Sequence, residues 1–130
     1  MTNEILVTPR EYGRIISRLA PLSIFSGFYA LLMGHSYDIA IVPLSVGCTT
    51  YLYWHNPTYS WRRKLDMVTV MTLCLYQAYR ALYADYMYYY YILHATGIIS
   101  YLLGIHCYYE RNEKYLGMII HTGIHIFVNI

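Results

Sequence analysis

Histidine is the side chain best suited to bind a metal ion or move a proton near neutral pH. This 130-residue chain carries six: His35, His55, His94, His106, His121 and His125. The last two read His121-Thr-Gly-Ile-His125. On a helix, a spacing of four puts both imidazoles on one face, close enough to grip a single ion. No glutamate stands between them, so the pair is not the metalloprotease motif. Two histidines hydrogen-bonded to neighbouring helices would show the same spacing. His55 stands just before an Asn56-Pro57 break, and Asp66 follows closely on the basic run Arg62-Arg63-Lys64. Asp66 suits the role of counter-ion to that run. It also suits chemistry: three neutral imidazoles and a water make a catalytic zinc shell, and a nearby carboxylate can orient or activate the water. His55, His121 and His125 are therefore candidate metal ligands and Asp66 the candidate catalytic carboxylate, with His106 able to replace any one ligand.

The elements that must position these residues are apolar. Hydrophobic residues make up 58% of the chain and charged residues 12%, about half the charged share of an average soluble protein. Tyrosine outnumbers phenylalanine 18 to 3, and a ring with a hydroxyl handle suits the membrane–water interface and buried hydrogen bonds. The low charge excludes a disordered chain, and the wide spacing of Cys48, Cys74 and Cys107 excludes a disulfide scaffold. A net charge of +2 argues against nucleic acid as a partner.

Residues 1–8 lack the basic start and apolar run of a secretory signal. Thr8-Pro9-Arg10-Glu11 instead opens a helix over 8–19, threonine capping and glutamate three residues on. Arg10, Arg14 and Arg18 fall on one face of it and Tyr12, Ile15, Ile16 and Leu19 on the other. That pattern describes a helix lying along an anionic membrane surface, or a solvated face leading into a span. Five apolar stretches follow, approximately 20–34, 39–55, 65–82, 86–108 and 115–130. Several are shorter than the ~20 residues that cross a bilayer untilted. The first can borrow from the preceding helix, with Pro21 kinking the junction, and the last need not cross fully. The expected fold is all-α: one integral membrane domain over 1–130, a bundle of about five short transmembrane helices behind an amphipathic basic helix.

Cationic residues orient that bundle. Arg10, Arg14, Arg18, Arg62, Arg63, Lys64, Arg111 and Lys114, eight of the nine, fall on one side of a five-span arrangement. Arg80 alone falls near the other, where Asp85 could pair with it. The positive-inside rule makes the N-terminus cytoplasmic and places the C-terminus opposite. His55, Asp66 and His121 then lie toward the cytoplasmic face, with His125 deeper.

Thr50-Tyr51-Leu52-Tyr53-Trp54-His55, then Arg63-Lys64-Leu65-Asp66, then His121-Thr122-Gly123-Ile124-His125 resembles the skeleton of the superfamily of alkaline ceramidases and progestin/adiponectin-type receptors. The resemblance implies zinc on His55, His121 and His125, Asp66 as the carboxylate, and hydrolysis of a ceramide-like lipid amide. That family has seven spans, and a serine where Tyr51 stands here. The stretch Tyr53 to Asp66 is also similar to small multi-spanning membrane proteins of large DNA viruses, which implies a membrane location and no chemistry.

Two readings follow. Small size and minimal loops favour a structural membrane subunit without a cofactor, held in the lipid bilayer and against other subunits through helix faces. The arrangement of His55, Asp66, His121 and His125 favours a zinc-dependent membrane hydrolase.

Overall fold

Proline has no amide hydrogen to donate, and its ring collides with the carbonyl four residues back. The carbonyl four residues before Pro21 belongs to Ser17, which therefore loses its helical partner there. In the computed structural model, which describes residues 6–127, helix α1 spans Arg10–Ser17 and α2 resumes over Ala20–Leu32. Four more helices follow: α3 Tyr37–Trp54, α4 Trp61–Ala81, α5 Met87–Tyr109 and α6 Lys114–Phe127. No strand forms among the described residues, where an isolated bridge pairs Leu6 with Thr58. The protein is all-helical. Each of the five apolar stretches of the sequence is a helix, with α6 described as far as Phe127 and residues 128–130 outside the described region. One stretch, Arg10–Leu32, is long and apolar enough by length and composition to cross a membrane. The helix start differs slightly from the capping signature: Pro9 is the cap residue, Arg10 is the first helical residue and Thr8 is buried.

The chain divides into two compact units, Met1–Cys74 and Leu75–Ile130, with the boundary inside α4. In the first unit α2 and α3 pack together through small residues. A methyl group on Gly27 would lie 2.8 Å from the Ala40 carbonyl, and one on Gly47 would lie 3.0 Å from the Ala20 carbonyl. The turn between these helices is closed by Gly34, whose φ of 74° is the left-handed conformation glycine adopts at low cost. His35 N–H donates to the Ala30 carbonyl and Gly34 N–H to the Leu31 carbonyl, which satisfies two of the last carbonyls of α2.

In the second unit α5 and α6 approach backbone to backbone. A methyl on Gly104 would lie 2.8 Å from the Gly117 carbonyl, and one on Gly117 would lie 2.7 Å from the Gly104 carbonyl. Ser100 Oγ donates to the Ile120 carbonyl at 2.6 Å across the same seam. Asn112 turns the chain between them with φ of 55°, and Glu113 N–H donates to the Cys107 carbonyl. Five tyrosines, Tyr86 and Tyr88 to Tyr91, stand at the start of α5 in different surroundings. Tyr86, Tyr88 and Tyr89 are exposed, whereas the Tyr91 hydroxyl donates to the Ala78 carbonyl of α4 at 2.8 Å and Tyr90 stacks on His94.

Candidate functional site

The candidate residues fall into both units: His55 and Asp66 in the first, His121 and His125 in the second. In the first unit, α3 buries a stripe that includes Gly47, Thr50 and Tyr53, spaced by three residues. Thr50 therefore faces inward among small and aromatic neighbours. Asp66, in the second turn of α4, is also buried, at 7% exposure. Thr50 Oγ1 donates to Asp66 Oδ1 at 3.1 Å. A carboxylate withdrawn from water is costly without a donor, and the threonine hydroxyl supplies one. The flanking cations turn elsewhere: the Arg62 guanidinium lies 5.9 Å from the Trp61 ring and that of Arg63 5.3 Å from the Tyr59 ring. His55, which caps the C-terminus of α3, is exposed, its ring centroid 5.6 Å from that of Tyr51. The exposed histidine and the buried carboxylate occupy different surroundings.

In the second unit, His121 and His125 share a face of α6 as the spacing predicts, their rings stacked with centroids 5.7 Å apart. Tyr101 of α5 sets its ring edge-on to His121 at 5.0 Å. His94 stacks on Tyr90 at 3.8 Å, and its Nδ1 lies 3.2 Å from the Tyr90 carbonyl. A carbonyl only accepts, so Nδ1 carries the proton and Nε2 the lone pair. His106 does not join this group, since its Nδ1 lies 2.7 Å from Glu110 Oε2 on the exposed side of α5. Two imidazoles on α6 are fewer than the three protein ligands of a catalytic zinc. Among the described residues, no group of three or more His, Cys, Asp or Glu side chains could hold a metal ion.

The residue to which the sequence alone assigns no role is Thr50, which opens the Thr50–His55 stretch. Its signal was its position on the small-residue stripe of α3, where a polar side chain needs a partner. Compared with known protein families, curated proteins and solved structures, the chain matches none.

Proposed function

We propose that this protein is a structural, multi-spanning membrane subunit of a larger assembly, such as a virion membrane or a multi-subunit membrane complex. In this reading α2 to α6 sit in the bilayer, the N-terminus is cytoplasmic and the C-terminus lies opposite. One observation carries it: large apolar side chains point outward while small ones fill the helix contacts. Phe25 is 70% exposed, Leu32 85% and Leu75 72%, and Val68, Ile92, Ile99 and Leu102 are exposed as well. Gly27, Ala40 and Gly47 in one unit and Gly104 and Gly117 in the other occupy the contacts. In water this distribution would forfeit about 1.5–3 kcal/mol for each large side chain left outside. In lipid it costs nothing, because tails are as apolar as leucine and helices associate through close packing of small residues.

Two of the helix lengths agree with this: at about 1.5 Å per residue, the 18 residues of α3 and 23 of α5 span about 27 to 35 Å, against a hydrocarbon core of about 30 Å. Helices α2 and α6, with 13 and 14 residues, are shorter. Seven tyrosines and two histidines in α5 lower its apolarity, yet tyrosine belongs at membrane interfaces. The connections from α2 through to α6 are four to six residues, which leaves helix faces as the surface for partner subunits. The test is extraction of native membranes with alkaline carbonate, followed by native gel electrophoresis in mild detergent. Retention in the membrane and co-migration with a stoichiometric partner are expected. Release by carbonate would remove the reading.

The shared face of His121 and His125 supports a second reading, a zinc-dependent hydrolase of a lipid amide. Metal analysis of the purified chain separates the two.

A further inference from the structure

We infer that α1 and the start of α4 form one cationic platform that holds the headgroups of anionic phospholipids; this rests on the membrane reading above and goes beyond it. Arg10, Arg14 and Arg18 are more than forty residues from Arg62, Arg63 and Lys64 in sequence. The fold joins them through the connection at 55–60. Val7 N–H donates to the Pro57 carbonyl at 2.9 Å, and Leu6 bridges Thr58. Gly13 presses so closely that a methyl there would lie 2.8 Å from both Pro57 Cγ and the Trp54 carbonyl. Arg10 Nε donates to Asn56 Oδ1 at 3.2 Å. Helix α1 is thus seated on the loop that leads directly into Arg62-Arg63-Lys64.

The side chains on this platform are disposed for phosphate. Arg14, Arg18 and Lys64 are exposed. Arg62 and Arg63 lie against the rings of Trp61 and Tyr59, contacts that steady a guanidinium while leaving N–H groups for a phosphate oxygen. Glu11 is the acidic residue on α1, and Asp66 is engaged inward by Thr50. The same elements continue into exposed apolar side chains, Leu22 and Phe25 beyond α1 and Leu65 and Val68 on α4. A phospholipid matches both parts, phosphate to the cations and acyl chains to the apolar flanks. A free phosphate or an RNA strand makes no use of the second.

The test is native mass spectrometry of the full chain in mild detergent, titrated with phosphatidylglycerol or phosphatidylcholine of the same acyl chains. Phosphatidylglycerol should bind at about fivefold lower concentration, from the attraction of basic side chains near an anionic surface. Raising the ionic strength should shrink the preference in the wild-type chain. R10Q/R14Q/R18Q and R62Q/R63Q/K64Q should each abolish it, while the charge-keeping R14K/R18K should retain it. Equal affinity for the two lipids, loss in only one of the two triple variants, or displacement of the lipid by inorganic phosphate or an RNA oligonucleotide at equal concentration would overturn the platform. Carbonate extraction of the wild-type chain separates the two ideas. A chain that stays in the membrane without preferring phosphatidylglycerol refutes the platform alone, and a chain that is released refutes the membrane reading as well.

Discussion

The buried pair Thr50–Asp66 is the residue-scale feature on which both functional readings make demands. A carboxylate at 7% exposure beside a hydroxyl at 1% exposure has little water to fall back on. Thr50→Val keeps the shape and removes one of two threonine partners of Asp66, Thr49 being the other, so it should destabilise the protein by about 0.5–1.5 kcal/mol, the usual net worth of one hydrogen bond. Thr50→Ser, which keeps the hydroxyl, should cost less, and Asp66→Asn in the Thr50→Val background should recover part of the loss by removing the charge. Unfolding in mild detergent measures all three, and a Thr50→Val protein as stable as wild type would mean the hydrogen bond contributes nothing. His121 and His125 carry the second residue-scale prediction. Under the structural reading, His121→Ala and His125→Ala lower the melting temperature by loss of ring packing, including that of Tyr101 on His121, and leave metal content unchanged. Zinc near about one per chain that falls in both variants would move the assignment to the hydrolase.

Among elements, two kinds of glycine separate conformational from steric demands. Gly34 has φ of 74° and open space where a methyl would go, so Gly34→Ala should cost about 1–2 kcal/mol through backbone conformation alone. Gly104 and Gly117 are helical, and a methyl at either meets the backbone of the facing helix. Ala at each should force α5 and α6 apart and cost about 1–3 kcal/mol, whereas Gly97→Ala, with 3.5 Å to Ile124, should be tolerated. Thermal unfolding of the four variants in detergent checks the ranking, and a Gly97→Ala protein less stable than Gly104→Ala would contradict this packing. The helices themselves were readable in advance, because Gly34, Asn56-Pro57 and the charged breaks interrupt apolar runs that have no other way to satisfy their backbone. Pro21 marked a kink at the next junction, but the first helix stops at Ser17 instead of running to residue 19. Contacts between distant segments were not readable. Nothing local tells that Thr50 meets Asp66, that Pro57 lies under Gly13, or that Tyr91 spends its hydroxyl on Ala78 while Tyr89 stays exposed. The His121/His125 face followed from spacing alone, whereas a third ligand depends on packing that spacing does not encode.

For the whole molecule, the proposed membrane reading asks which connections would share a side of the bilayer. Cations resist translocation, and a five-span arrangement gathers eight of the nine Lys and Arg on one side. Removing α4 or α5 as a span would send Arg111 and Lys114 across while Arg62, Arg63 and Lys64 stayed, so the charge distribution requires both of these helices to cross and is the same whether or not α6 does. The connection at 55–60 should then be cytoplasmic and the connection at 82–86 should face the opposite side. Single-cysteine labelling tests this after Cys48, Cys74 and Cys107 are replaced by serine, since Cys48 is already exposed and would add background. Ser60→Cys lies beside the basic run, and Ala84→Cys sits in the exposed turn between α4 and α5. In sealed right-side-out vesicles, a membrane-impermeant maleimide should modify Ala84→Cys at once and Ser60→Cys only after permeabilisation; inverted vesicles should reverse the order. Modification of both positions from the same side would mean that α4 does not cross the bilayer, and the five-span arrangement would fall with it. Labelling in the opposite sense would keep the spans and reverse the orientation, leaving eight cations on the side the positive-inside rule forbids.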